Sequence, residues 1–397
     1  MGKIAKQLFF GLLAGAALFT PPQISLADDY EELVNLLEEK NLLTPEEAEA
    51  LIKKHREKLA KGSLLDKSEI KRLKKLVQLK IGGKAYLHYD YTINSPETEK
   101  DDKGEFKVTR AYLEVRKYFG KGKDNYFRTT VDVHQSDDGS YVVRLKYAYL
   151  NWKINNFLAT EIGMVHRPWI DWEQHNGWLH RDVEKTFIED RDGAKLLGSA
   201  DVGITLKGKA NNFGYMFGIY NGEGYHGKED DKHFGKSVEG RINYTFGRLT
   251  AALHMAYMDN QNKADRFIVQ PWIGFKNEDF LVAFQYIYNK ENNQNAPDYV
   301  NTGFSVNGDL HLKRFIGQPL TLFARYGYWN FDKDAEDKTD YTKVDRWQVL
   351  LGAAYAWNKY IRTSLAYKHV GYDIPAKNTE NGKDYKNTIM AVVQVKW

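Results

Sequence analysis

From Ile81 to the last residue, apolar and polar side chains alternate at period two, and the pattern does not revert. Period two gives a β-strand one apolar face and gives a helix none, so this texture constrains the fold more than any other feature. Ala85, Leu87, Tyr89 and Tyr91 alternate with Lys84, Tyr86, His88 and Asp90. Thr109, Ala111, Leu113 and Val115 alternate with Arg110, Tyr112, Glu114 and Arg116. Phe127, Thr129, Val131 and Val133 oppose Arg128, Thr130, Asp132 and His134. Val143, Leu145, Tyr147 and Tyr149 form the next apolar set, with Arg144 and Lys146 between them. The alternation runs on to Ile389, Ala391, Val393, Val395 and Trp397, which share one parity.

Sixteen such segments can be counted, with a tolerance of two. Short turns such as Phe246-Gly247-Arg248, Lys276 to Asp279 and Asn358-Lys359 alternate with long polar loops such as Asn221 to Lys236 and Asp332 to Tyr341. Turns on one side and loops on the other are what an outer-membrane barrel shows, and a soluble sandwich does not impose that asymmetry. A terminal Trp397 suits a strand that closes a barrel at the membrane–water boundary. The rival reading is the last strand of a soluble β-protein. The expectation is an all-β transmembrane β-barrel of about 16 antiparallel strands (14–18) over residues 81–397, wide enough for an aqueous channel.

The chain begins differently. Lys3 and Lys6 precede an apolar run from Leu8 to Phe19, and Ser25-Leu26-Ala27 offers small residues for cleavage, so residues 1–27 read as an export signal. The run is too short to span a bilayer, and no other stretch approaches 18 apolar residues. Residues 28–80 read as a short α-helical segment. Leu33, Leu36 and Leu37 recur at helix spacing; Thr44-Pro45-Glu46-Glu47 forms a capping box with proline at the first helical position. Ala48, Leu51 and Ile52 follow, Gly62 closes that helix, and a third starts near Asp66 or Ser68. Such a piece either docks on the rim of a barrel or self-associates through its leucines.

Composition excludes several functions. There is no cysteine, hence no disulfide staple and no thiol chemistry. Net charge is +4, falling to about +2 without Lys3 and Lys6, and bases are interleaved with acids, so nucleic acid is not a partner. A mean hydropathy of −0.60 would normally mean a soluble protein, but a barrel with polar lumen and loops gives the same average. Aromatics at 14 % suit either interfacial girdles or a glycan-binding surface.

One connection stands out. Residues 167–199 lack alternation, and a structureless segment of this length is usually functional. Trp169, Trp172 and Trp178 are poorly placed in a solvent-exposed loop. Folded into a barrel, the loop buries them and carries Arg181, Lys185, Arg191 and Lys195 towards the lumen as a constriction. The alternative is an external cap packed on itself. His166, His175 and His180 match no metal-ligand spacing, and Glu173, Glu189 and Asp190 make a weak case for a glycosidase pair. No Gly-x-Ser-x-Gly motif occurs, Gly222, Gly224 and Gly227 fit GxGxxG without a following helix, and Gly235-Lys236-Ser237 lacks the first glycine of a P-loop. No cofactor or metal is expected.

Several stretches together resemble the phosphate-selective porins O and P. They are Phe106 to Tyr118 with Tyr126 to Asp132; Ala148-Tyr149-Leu150 with Ile162-Gly163 and Pro168; Gly218-Ile219-Tyr220-Asn221-Gly222; and Gly352 to Tyr367. The resemblance covers about two-thirds of the chain after residue 80. It implies a sixteen-stranded, trimeric channel in the outer membrane of a Gram-negative-type bacterium. It also implies a periplasmic helical extension before residue 80, inward basic residues that favour anions, and Trp397 as part of the signal read by barrel-assembly machinery. Thr109 precedes Arg110 where family members often carry a pair of arginines, so half of that pair is absent.

The reading is therefore a passive, water-filled porin for small hydrophilic solutes, with phosphate-type anions preferred, and not an enzyme. Its expected lining is Arg110, Arg116, Arg128, Arg144 and Lys146 from the wall, with Arg181, Lys185, Arg191 and Lys195 from the loop. Each of these has a second reading as a salt bridge across the lumen wall. The rival functions are a barrel-anchored tether, with residues 28–80 binding the cell wall, and an outer-membrane barrel enzyme.

Overall fold

Sixteen antiparallel strands close on themselves in the computed structural model, each pairing with its sequence neighbours and β1 with β16. The structure describes residues 26–40, 42–60, 78–120, 122–136, 138–225, 227, 235–259, 265–292, 298–333 and 336–397. Residues 1–25 of the expected export signal and the expected third helix after Asp66 lie outside these, as does part of the loop from Asn221 to Lys236.

The first eight strands are β1 Leu79–Asn94, β2 Lys103–Phe119, β3 Asn125–Gln135, β4 Tyr141–Lys153, β5 Ala159–His166, β6 Ala200–Ala210, β7 Phe213–Tyr220 and β8 Ser237–Phe246. The second eight are β9 Leu249–Met258, β10 Asp265–Lys276, β11 Phe280–Asn292, β12 Tyr299–His311, β13 Leu320–Asn330, β14 Arg346–Ala356, β15 Ile361–Tyr372 and β16 Tyr385–Lys396. At one end the connections are mostly tight, such as 211–212 and 247–248; at the other they include 167–199, 221–236 and 331–345.

Alternation decides which way each side chain points. Leu113, Phe217, Val282, Leu351 and Leu365 are exposed on the outside, whereas Tyr86, Tyr112, Gln285, Arg325 and Gln348 are buried inside. A continuous outward apolar band greatly exceeds the few hundred Å² that soluble monomers tolerate, so its natural solvent is lipid. Outward aromatics ring the short-turn end, including Trp152, Phe157, Phe246, Phe315, Trp357 and Trp397. Such rings are wet on one edge and apolar on the other, which suits the membrane interface.

One expected parity is corrected. The β3–β4 register slips between Thr130 and Val131, so Lys146 is an extra residue in β4. Such a bulge flips every side chain beyond it. Tyr147 and Tyr149, read as outward with Val143 and Leu145, instead lie buried in the lumen beside Lys146.

Closure runs to the final residue. Lys84 pairs with Lys396, and beyond that pair Trp397 N–H donates to Gly83 O at 3.1 Å while Gly83 N–H donates to Trp397 O at 3.2 Å.

Residues up to Leu79 form a separate compact unit. Within it, α1 Leu26–Glu39 and α2 Pro45–Ala60 pair. The capping box is present: Glu47 N–H donates to Thr44 Oγ1 at 3.3 Å, and Thr44 N–H donates to Glu47 Oε2 at 3.1 Å. The buried stripe is Tyr30, Val34, Leu37, Leu43 and Ala48, with Leu51 and Ile52 packed on it. Leu33 and Leu36, expected on the apolar face, are exposed. Tyr30 takes that face and stacks on His55 at 3.9 Å.

Candidate functional site

The connection between β5 and β6 turns inward and lies against the lumen wall. It carries one short helix, α3 Ile170–Asn176, and its remaining backbone is irregular. Loops are rarely buried, because their amides and carbonyls need partners. Here wall side chains supply them. Arg241 Nε donates to Pro168 O at 2.9 Å, Arg346 Nε to Gly193 O at 2.9 Å, Gln348 Nε2 to Asp192 O at 3.0 Å and His88 Nε2 to Asp182 O at 2.7 Å.

Apolar contacts do the rest. Trp169, Ile170, Phe187, Ile188 and Leu197 pack on inward Ile268 and Trp272 of β10, Leu281 and Ile287 of β11, and Trp329 of β13. Trp178 and Val183 pack on Phe323, Leu350, Met390 and Val392. Trp169 and Trp178 are fully buried, and their indole N–H groups donate to Glu173 Oε2 and Glu184 O, both at 2.8 Å. Inward apolar residues on β9–β13 were not expected in a polar lumen; they exist where the loop docks.

Charge locks the loop further round. Lys368 of β15 meets Glu184 at 2.8 Å, Asp190 at 3.2 Å and Asp192 at 2.8 Å. Arg325 of β13 meets Asp190 at 2.7 Å, Lys386 of β16 meets Asp192 at 2.9 Å, and Arg362 pairs with Asp182. Pairing of this kind offsets much of the cost of burying charge. Burial raises the Glu189 carboxyl, but Arg181 and Lys185 outweigh it and hold it down at about 2. Among the described residues Glu173 has no cation at contact distance, and burial pushes it up to about 7 against the hydrogen bonds from Trp169 and Gln285.

The loop thus covers most of the inward faces from β8 round to β16, touches β1 at His88, and leaves most of the inward faces of β1–β7 open. Between the loop and the open wall lies a cavity of about 320 Å³. Its lining has six basic side chains, Lys80, Lys84, Arg128, Lys146, Arg181 and Lys396, against two acidic ones, Glu114 and Asp171. Tyr86, Tyr112 and Tyr147 complete much of its surface. A second cavity of about 400 Å³ shares Arg128 and Asp171 with the first and continues along the open wall past Arg116, His166 and Lys207 to Arg241 of β8.

The nine expected lining residues divide. Arg128, Lys146 and Arg181 face the first cavity, and Arg116 and Arg128 the second. Arg110 pairs with Asp132 at 2.7 Å, while Arg116 and Arg128 share Glu114 at 2.7 and 2.6 Å. Arg181 pairs with Glu189, and Arg144 of β4 is half-buried opposite Asp132. Lys185 is half-buried beside that pair; burial and the neighbouring Arg181 and Arg110 lower its ammonium against the pull of Glu189. Arg191 and Lys195 do not line either cavity. Arg191 is exposed with Glu97 at 3.9 Å, and Lys195 is exposed at a turn with φ 51°.

Sequence reasoning missed Lys80, Lys84 and Lys396, although Lys84 stands on the inward parity of β1. It also missed the tyrosines, two of which the alternation shows inward and one of which the bulge turns in. The glycines of the apparent GxGxxG motif punctuate a loop: Gly222 and Gly224 adopt positive φ, and their N–H groups donate to Asp201 Oδ2 at 2.9 and 3.2 Å.

No protein-family model and no curated relative matches the chain. Solved structures do. The anion-selective porin from Comamonas acidovorans aligns with a TM-score of 0.63 at 11% identity, over 80% of this chain and 99% of its own. A loop L8 deletion mutant of OmpT, an outer membrane protein of Vibrio cholerae, gives 0.59 at 16% identity over 80% and 99%. The outer membrane channel DcaP of Acinetobacter baumannii gives 0.56 at 14% identity over 80% and 97%. At these identities the shared property is the fold, that of outer-membrane porin barrels.

Proposed function

We propose that the chain is an outer-membrane porin, a passive water-filled channel for small hydrophilic solutes, with a preference for anions. The observation that carries the anion preference is the lining of the first cavity, six basic groups against two acids at the point where the inward loop narrows the lumen. A fixed excess of cationic charge beside a low-dielectric wall lowers the barrier for anions and raises it for cations. The salt-bridge reading holds for Arg110, Arg116, Arg128 and Arg181 individually, since each has a carboxylate partner. Selectivity therefore falls to the lysines.

Export through a cleaved signal, assembly by barrel machinery that reads Trp397, and a homotrimer in the outer membrane belong to this reading. So does a periplasmic place for residues 28–80, within reach of the cell wall. The specific likeness to phosphate-selective porins O and P remains part of the proposal, and the channel is read as non-enzymatic. Proteoliposomes containing the purified protein test it: they should swell in isotonic sugars small enough for the lumen, and impermeability to all of them contradicts the reading.

A further inference from the structure

We infer that the constriction of this channel holds a binding site for a small aromatic carboxylate, formed by Lys84 and Lys146 with Tyr86, Tyr112 and Tyr147. The inference rests on the channel reading above and names the solute class for that site.

The first observation is which charges remain available. Arg110, Arg128 and Arg181 are each engaged by a carboxylate of Asp132, Glu114 or Glu189. Lys84 and Lys146 form no ion pair among the described residues, and Lys146 is buried at 6 % exposure. Its Nζ donates one hydrogen bond, to Tyr112 Oη at 3.2 Å. A buried ammonium with one neutral acceptor keeps two N–H groups and most of its charge for an incoming anion.

The second observation is what surrounds those charges. Lys84 Nζ stands 5.7 Å and Lys146 Nζ 4.6 Å from the centroid of the same Tyr112 ring. Lys146 also lies 5.7 Å from the Tyr147 ring and 5.6 Å from that of Tyr225, and Lys84 lies 6.0 Å from that of Tyr86. Cation–π contacts of this kind hold the ammonium groups in place without neutralising them. The cavity of about 320 Å³ is thus walled by phenol rings with ammonium groups over their faces, which leaves ring edges and the uncovered parts of the faces for a ligand.

That surface discriminates between anions. Tight phosphate recognition draws on several converging donors, usually arginine forks or free backbone N–H groups. The forks here are engaged, and the amides of β1, β2 and β4 are held in their ladders. A planar aromatic carboxylate places its carboxylate on Lys146 or Lys84 and its ring in offset or edge contact with the tyrosines. An aliphatic carboxylate gains the charge contact without the ring contact.

The test is block of the chloride current through the reconstituted full-length protein by sodium benzoate, cyclohexanecarboxylate and phosphate. Benzoate should block at a concentration about threefold to tenfold below cyclohexanecarboxylate, the factor expected of one aromatic pair, and phosphate should be weakest. Lys146→Met and Tyr112→Leu should each abolish the difference between the two carboxylates. The wild-type titration stands alone if either variant fails to assemble. Equal block by all three anions, or strongest block by phosphate, overturns the inference and leaves an anion-preferring porin intact. Absence of current in every salt overturns both.

Discussion

Two walls of one lumen are built from the same alternating strands and serve opposite ends. The wall from β8 to β16 is covered: Arg325, Arg346 and Lys368 are spent on the carboxylates and carbonyls of residues 167–199, and its apolar side chains pack on the loop. The wall from β1 to β7 is open except at His88, and its Lys84 and Lys146 face a cavity. The difference teaches that an inward basic residue has no fixed meaning. Lys368 and Lys146 are both buried on inward faces, yet one meets three carboxylates and the other a tyrosine hydroxyl.

The same substitution on each wall sharpens that contrast. Lys368→Met removes the cation shared by Glu184, Asp190 and Asp192, leaving Asp190 to Arg325 and Asp192 to Lys386, and should cost about 3–5 kcal/mol, the usual penalty for breaking a buried pair. It should appear as a lower temperature for loss of the compact barrel on gels and as a larger, noisier single-channel conductance once the loop loosens. Lys146→Met removes a buried charge that has no counter-ion among the described residues, so stability should change by less than about 1 kcal/mol while anion preference falls. If both variants lose stability equally, the two walls are not distinct in kind.

A smaller effect concerns Glu173, held under the loop by Trp169 and Gln285. Its carboxyl is raised from 4.5 to about 7 by burial. The unfolded chain therefore releases this proton first as pH rises: stability is greatest below about pH 4.5, declines up to about pH 7 and is flat above that. Glu173→Gln should remove this slope and stabilise the protein at pH 8 by about 2–3 kcal/mol, measured by heat denaturation at pH 5 and pH 8. A slope that persists in the variant assigns it elsewhere. Glu189, held down at about 2, has the opposite sign: its contribution is present above about pH 4.5 and is lost as pH falls through about 2.

The smallest effect is expected at the seam between the walls. Trp397 closes it with two backbone hydrogen bonds to Gly83. Deleting Trp397 should lower the yield of assembled barrel while strand content by circular dichroism stays nearly unchanged; equal loss of both contradicts a role in assembly.

The barrel was legible because one face of every strand must meet lipid, and that demand writes a period into the sequence that no local choice can hide. The strand number and the Thr44–Glu47 capping box followed from residues alone. The lumen was less legible. Alternation states that Arg110 points inward but not that Asp132 of β3 waits for it, since pairing across strands is a property of register. The bulge at Lys146 is a single inserted residue with no local signature, and it reversed Tyr147 and Tyr149. For the loop, three tryptophans announced burial, but its floor of Ile268, Trp272 and Leu281 looked like imperfect alternation. Arg191 and Lys195 stand away from both cavities, and a structureless segment gives no period from which to read their direction.

The central claim is that the open wall makes the pore prefer anions. The reversal potential of the reconstituted protein in a tenfold potassium chloride gradient tests it most directly. The account predicts a potential of the sign set by chloride, shifted towards zero by Lys84→Met with Lys146→Met. A potential of the sign set by potassium in the wild-type protein would contradict it.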